Sequence, residues 1–283
     1  SQLPRVDALY LEAIYAGVNR DLPASVKAYS EIVRLAPKEA YAYFDLGRAH
    51  EKNDDTKKAI ESYIAATTRS PQLAAAFLRV GVLYGRQLDL ASAAANFQQA
   101  ETLYQALGSV EGQAEVSYER GFLLNKLVKV AEAREQLERA LELAKTANNQ
   151  YQQVKTLLKL GDVASDAGES ARAQRYMQEA IDLARANGID NLIKRGLVDL
   201  GNVFLAIGNY PEARKYFEQS LDLARNQKDS RNTARALLSL GSLAEREANP
   251  DESVKYVEQA LPFYRQGGYR KEMSQALALL ARL

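Results

Sequence analysis

Small and large apolar residues recur along most of the chain at spacings of four and three, the spacing of one face of an α-helix. A small residue is followed four positions later by a large apolar one, and three positions after that by a second small one. The first residues of these triplets are Ala59, Ala93, Ala133, Ala173, Ala213 and Ser253. The pattern predicts six helices, each with one buried face.

A glycine precedes each triplet by twelve positions. The glycines are Gly47, Gly81, Gly121, Gly161, Gly201 and Gly241, so the first interval is thirty-four positions and each later interval is forty. A glycine inside a helix costs about 1 kcal/mol relative to alanine and therefore needs a packing reason. We expect each glycine to lie on a first helix, helix A, at the point where a second helix, helix B, crosses too closely for a Cβ atom.

These motifs resemble the tetratricopeptide repeat, which combines an aromatic residue, Leu-Gly, a second aromatic, Ala-x3-Phe and a proline. Tyr43-x2-Leu46-Gly47-x2-His50 fits it, followed by Ala59-x3-Tyr63, Ala66 and Pro71. The resemblance implies an all-α fold, a right-handed α-solenoid of about seven helix pairs plus a C-terminal helix. The predicted repeats of this single array span approximately 6–39, 40–73, 74–113, 114–153, 154–193, 194–233 and 234–270, and the terminal helix spans 271–283.

Polar residues between the helices predict where each helix begins. The side chains that we expect to cap helix B are those of Asp21, Asp55, Asp89, Asn209 and Asn249. The extra six residues of the longer repeats fall between helix B and the next helix A. We therefore expect helix B of each longer repeat to run about one turn further.

Composition removes several classes of function. The chain has 37 basic and 36 acidic residues, which gives no reason to expect nucleic-acid binding. It has no cysteine and a single histidine, His50, and no apolar stretch long enough for a membrane span. His50 occupies the place that Tyr84 and Phe204 hold in other repeats, so we interpret it as a packing residue. We predict no catalysis, cofactor or metal, and a cytoplasmic location.

The resemblance places partners in a groove lined by the helices A. When the key glycine is counted as the eighth position of a repeat, the groove-lining positions are the second, fifth, ninth and twelfth. The residues predicted to bind a partner are Tyr41, Phe44, Arg48, Tyr118, Phe122, Asn125, Lys155, Arg195, Asn202 and Arg235. Lys155, Arg195 and Arg235 recur at the same forty-position interval as the glycines and form a basic ladder. The adjacent ninth positions hold Asp162, Asn202 and Ser242, among which we expect neutral hydrogen-bonding partners.

The predicted function is a non-catalytic protein-interaction module. Aromatic anchors and a basic ladder suit a protein or peptide partner with acidic or phosphorylated segments. The alternative for these residues is that the cations are ordinary solvated side chains and that Tyr41 or Tyr118 packs between helices. The mixture of repeat lengths also resembles the C-terminal repeat regions of large bacterial signalling proteins, namely serine/threonine kinases and transcriptional regulators, which implies recruitment or sensing. A second class of function is a scaffold that self-associates through its apolar ends, Leu3–Ile14 and Met273–Leu283.

Overall fold

The computed structural model describes residues 4–283, and every regular element within that range is an α-helix. The prediction of an all-α fold is therefore confirmed. Leu3, the start of the first apolar end, lies outside the described residues. The chain divides after Leu127 into two compact bodies, which we call the N-terminal body and the C-terminal body.

The N-terminal body contains seven helices, and helices adjacent in sequence pack against each other. They are α1 (Arg5–Val18), α2 (Leu22–Leu35), α3 (Ala40–Lys52), α4 (Thr56–Arg69), α5 (Ala74–Arg86), α6 (Leu90–Ala106) and α7 (Val110–Lys126). Helices α1, α3, α5 and α7 are helices A of the predicted repeats, and the even-numbered helices are helices B.

The C-terminal body contains eight helices that pack in the same sequential way. They are α8 (Val130–Thr146), α9 (Gln150–Asp166), α10 (Ser170–Ala186), α11 (Asp190–Ala206), α12 (Tyr210–Asn226), α13 (Ser230–Arg246), α14 (Pro250–Gln266) and α15 (Arg270–Leu280). Here α9, α11, α13 and α15 are helices A. Helix α15 confirms the terminal helix, whereas the single continuous array stays a prediction.

The glycines of helix A have the expected packing role. A Cβ atom on Gly47 would lie 2.7 Å from the Tyr63 ring, far below van der Waals contact. A Cβ atom on Gly201 would overlap the Phe217 ring still more closely. At five of the six positions the glycine therefore allows a large side chain of helix B to press against the backbone of helix A; these are Gly47, Gly81, Gly161, Gly201 and Gly241.

The predicted caps are also present. Each of the five side chains accepts a hydrogen bond from a backbone N–H in the first turn of helix B; these residues are Asp21, Asp55, Asp89, Asn209 and Asn249.

The prediction about the longer repeats needs a correction, because both helices of the pair are extended. Helices α3 and α5 have 13 residues and α4 has 14, whereas α9 to α14 have 17 each. The six extra residues are shared because the chain reverses in their middle, at a residue with positive φ such as Gly188 or Lys228. Helix A gains a new first turn in this way.

None of the helices within residues 4–283 combines the length and the apolar character needed to cross a bilayer.

Candidate partner-binding site

Four helices A of the C-terminal body, α9, α11, α13 and α15, surround a cavity of about 670 Å³. Equivalent positions of successive repeats line it, so its chemistry recurs with the period of the longer repeats. Arg195, Arg235 and Gln275 form one such row at the second position of their repeats. A second row comes from the new first turn of helix A, and it consists of Tyr151, Asn191, Arg231 and Lys271.

The second row was not predicted from the sequence. Each of its members is the second residue of its helix, and a shorter helix A would not reach that point. The four groove positions considered in the sequence describe the shorter kind of repeat, which has no such turn. The signal was nevertheless present, because these four residues recur at the same interval as Gly161, Gly201 and Gly241.

Three of the ten predicted partner-binding residues lie on the cavity, namely Arg195, Asn202 and Arg235. Arg195 and Arg235 are two of the three members of the basic ladder, so the structure brings these two to the same cavity. Lys155, the third member, lies half-buried on α9 and is not among the residues that line the cavity.

A buried carboxylate joins the two arginines. Asp199 on α11 accepts a hydrogen bond from Arg195 Nε at 3.3 Å and one from Arg235 Nη2 at 2.5 Å. Its side chain is only 9% exposed, whereas those of Arg195 and Arg235 are 31% and 39% exposed. Burial raises the pKa of Asp199, with a further contribution from Asp162, although both guanidinium groups oppose the shift.

Acidic and basic side chains also alternate from Arg195 towards α9. Asp162 lies 3.8 Å from Arg195 Nη2, and Lys159 Nζ lies 2.6 Å from the Asp162 carboxylate. Asp162, at the ninth position beside the ladder, is therefore a charged partner of Arg195 and not a neutral one. Both arginines also bond the carboxylate of Asp199, which lies at the sixth position of its repeat.

The rest of the lining combines amides with an apolar floor. The side chains of Asn191, Asn202 and Gln275 make no hydrogen bond with other described residues, so both their donors and their acceptors are available. Leu192, Val198, Leu238 and Tyr264 supply the floor. Such a surface can hold an extended backbone through the amides and bury an apolar side chain below it.

The predicted residues on α3 are not equally accessible. Tyr41 is 64% exposed, and the side chain of Arg48 is 57% exposed and lies 3.6 Å from Asp45. Phe44 is half-buried, and its ring centroid lies 5.4 Å from that of Tyr63. Phe44 therefore contributes to packing in the N-terminal body, whereas Tyr41 is open to solvent.

The predicted residues on α7 are largely covered. Tyr118 is only 5% exposed, which matches the packing alternative and leaves little surface for a partner. Phe122 is half-buried beneath Lys126, whose Nζ lies 4.9 Å from the ring centroid. Phe122 borders a space of about 10 Å³, too small for a side chain. Asn125 is half-buried on the same helix.

His50 lies inside the N-terminal body with 8% of its surface exposed. Burial lowers the pKa of its imidazole, so the ring is neutral near pH 7. No group of three or more histidine or carboxylate side chains within residues 4–283 is arranged to hold a metal ion.

Comparison with protein families gives matches to the tetratricopeptide repeat over residues 10–74, 112–186 and 195–266. These matches include α9 and α13 in full and α11 from residue 195, but not α15. A search of curated proteins gives no match.

Solved structures with similar folds include a Signal Transduction ATPase with Numerous Domains from Pyrococcus horikoshii, which carries a tetratricopeptide repeat sensor. It has a TM-score of 0.69 and 15% identity, covering 93% of this chain and 44% of that protein. A Rap protein complexed with Competence and Sporulation Factor has a TM-score of 0.65 and 15% identity, covering 98% and 84%. The apo form of RapI has a TM-score of 0.64 and 15% identity, covering 86% and 95%. At these identities the likeness concerns the fold.

Proposed function

The chain belongs to the tetratricopeptide repeat family, and on that premise we propose that it is a non-catalytic module that binds a segment of a partner protein in the cavity between α9, α11, α13 and α15. The observation that carries the proposal is the repeated lining of this cavity: amides and cations from successive repeats face one space of about 670 Å³. Spaces of this size are typical of ligand sites.

A peptide segment suits this lining for two reasons. Side-chain amides can donate to a backbone carbonyl and accept from a backbone N–H at the same time, and Asn191 and Asn202 are free to do so. A Rap protein with the same fold has been seen in complex with Competence and Sporulation Factor, which supports a partner bound by this architecture.

The charge of the lining favours an acidic or phosphorylated segment. The cavity is bordered by four cations, Arg195, Arg231, Arg235 and Lys271, and by one carboxylate, Glu272. Arg231 pairs with Glu272 at 3.0 Å, whereas Lys271 has no ion pair among the described residues. Basic side chains on a partly enclosed surface attract anionic groups and steer their approach.

We further propose that the module recruits or senses a partner for a larger signalling protein. The support is the structural likeness to a signal-transduction ATPase in which a repeat array of this kind is the sensor. The bacterial source and the cytoplasmic location expected from the sequence stay predictions.

The test is selection of peptides from a displayed random library on the immobilised protein, followed by calorimetry with the selected peptide. We expect Arg195→Gln combined with Arg235→Gln to weaken binding by tenfold or more, on the order of 1.4 kcal/mol. Glutamine is preferable to charge reversal, because a new glutamate would face Asp199 and Asp162. The matched control is Arg185→Gln with Arg225→Gln, a pair with the same separation in sequence but on helices B. Equal binding by all three proteins would remove the cavity from the proposal.

A structural scaffold is the second candidate function. Helix α1 carries an uncovered apolar stripe with helical spacing, and its members Leu11, Ile14, Tyr15 and Val18 are each more than half exposed. Leu277 on α15 is 46% exposed. A molar mass that rises with concentration in light scattering, and that Tyr15→Glu restores to the monomer value, would favour this candidate over the binding module.

A further inference from the structure

We propose that the cavity recognises a carboxylate of the bound segment through Arg235 and the hydroxyl of Tyr264, and that Asp199 is an internal carboxylate with which the ligand must compete. This inference rests on the proposed function, because it concerns the same cavity. It adds two residues, Asp199 and Tyr264, and it fixes the direction in which each affects affinity.

Asp199 already occupies part of the arginine surface. It bonds Arg195 on its own helix and Arg235 on the next helix A, so one buried carboxylate holds two guanidinium groups from neighbouring repeats. A guanidinium has five N–H donors in a planar fork, and Asp199 engages one nitrogen of Arg235. Asp199 does not engage the other N–H groups of the Arg235 guanidinium. Because Arg235 is partly exposed and lines the cavity, these groups can donate to a ligand there.

Tyr264 is a large side chain at a position where the three preceding repeats have Ala144, Ala184 and Ala224, all fully buried. The repeat 74–113 also has a tyrosine there, Tyr104. Tyr264 is a residue of helix B, yet its side chain extends far enough between helices to line a cavity formed by helices A. The residue is 1% exposed, and its hydroxyl makes no hydrogen bond with any described residue.

Because Tyr264 lines the cavity and its hydroxyl has no hydrogen-bond partner in the protein, this hydroxyl can donate to a ligand there. Tyr264 thus provides a donor in a cavity that Arg235 and Arg231 also line. A carboxylate oxygen is the acceptor that both the tyrosine hydroxyl and the guanidinium favour, since charge-assisted hydrogen bonds are the stronger ones.

A ligand carboxylate bound there would lie close to the carboxylate of Asp199, and the two would repel each other while sharing Arg235. Asp199 therefore lowers the affinity for acidic segments and favours those that supply several further contacts. Replacement by asparagine keeps the shape of the side chain and removes the competing charge.

The experiment measures calorimetric binding of three hexapeptides to the full chain. The first peptide is acetylated and amidated and contains three aspartates alternating with alanines. The second has asparagines in place of the aspartates and a free C-terminal carboxylate, and the third has asparagines and an amidated end. The first two peptides separate a side-chain carboxylate from a chain terminus as the group that binds.

We expect Asp199→Asn to raise the affinity for at least one carboxylate-bearing peptide about tenfold, and Tyr264→Phe to lower it about fivefold. Neither variant should change binding of the third peptide. The matched controls are Asp182→Asn, at an exposed carboxylate on α10, and Tyr216→Phe, at a tyrosine on α12 stacked on Phe204. Circular dichroism confirms that each variant is folded.

Each of the following outcomes would overturn the inference. If Asp199→Asn lowers the affinity, Asp199 positions the arginines and does not compete. If Tyr264→Phe has no effect, the hydroxyl is not a ligand donor. If the peptides bind with affinities independent of both residues, or if none of them binds although a peptide selected from the library does, the inference fails while the proposed function stands. If neither these peptides nor a selected one binds, both fail.

Discussion

Lys194 Nζ lies 2.7 Å from Asp229 Oδ2 and thereby joins α11 to the N-terminus of α13. The lysine side chain is 4% exposed, so the ion pair is almost fully enclosed on the lysine side. Lys194 also donates to Gln227 Oε1 at 2.6 Å, while Asp229 accepts from the backbone N–H of Asn232 as the cap of α13. These contacts fix two helices that line the cavity.

Asp229→Ala should therefore destabilise the protein by about 4 kcal/mol, because a buried lysine loses its counter-ion and α13 loses its cap. Asn209→Ala, which removes only a cap from α12, should cost about 1 kcal/mol. Urea denaturation of both variants provides the comparison. Adding Lys194→Met to Asp229→Ala should recover much of the loss, and no recovery would mean that the pair is not responsible.

Gly201→Ala should destabilise the protein by about 2 kcal/mol, because the new Cβ would overlap the Phe217 ring. At Gly241 the nearest atom belongs to Val257, at 3.0 Å. There a small shift of the valine is sufficient, and the higher helix propensity of alanine offsets part of its cost. We expect thermal unfolding to rank Gly201→Ala well below Gly241→Ala. The reverse order would contradict the close approach of α11 and α12.

Tyr264 should make the protein sensitive to alkali. Burial, together with the Glu272 carboxylate, raises the pKa of its hydroxyl from 10.0 to about 12. The folded state therefore holds this proton more tightly than the unfolded state does. The resulting stabilisation is complete below pH 10 and is lost as the pH rises towards 12.

Guanidinium chloride denaturation at about pH 9.5 and about pH 11.5 tests this expectation. The wild type should lose more free energy of unfolding between these pH values than Tyr264→Phe does. The other tyrosines are present in both proteins, so their contributions cancel in the comparison. Equal losses would indicate that the Tyr264 hydroxyl titrates as it does in water.

Tyr41 and Tyr118 should respond differently to truncation. Tyr118→Ala should cost about 3 kcal/mol of stability, since this side chain is 5% exposed. Tyr41→Ala should change stability by less than about 0.5 kcal/mol, since Tyr41 is 64% exposed. The midpoints of urea denaturation measure both changes in stability. A Tyr118→Ala variant as stable as the wild type would contradict the packing role of Tyr118.

The helices, their caps and the crossing points could be predicted from the sequence because each depends on residues close together in the chain. Asp55 caps a helix by accepting from an N–H three residues ahead of it, and Gly47 meets Tyr63 only sixteen positions later. Because these short-range patterns recur from repeat to repeat, the sequence displays each of them several times.

The site could be predicted only in part. Arg195 and Arg235 were recognised by their phase, but their shared partner Asp199 was not. The contact between Asp199 and Arg235 spans 36 residues and joins unlike positions of two repeats, so reading one position at a time does not reveal it. Tyr264 was missed for a related reason: as a residue of helix B it would ordinarily pack inside its own repeat.

The first turn added to helix A places cavity-lining residues at a different point of the helix from the residues that pack the two helices together. The packing triplets and glycines lie further along each pair of helices, whereas Tyr151, Asn191, Arg231 and Lys271 lie in this turn. A substitution in one of these turns changes one point of the recognised surface without altering the glycines and packing triplets. The specificity of the C-terminal body can therefore change by single substitutions, because each repeat contributes one side chain of this kind to the cavity.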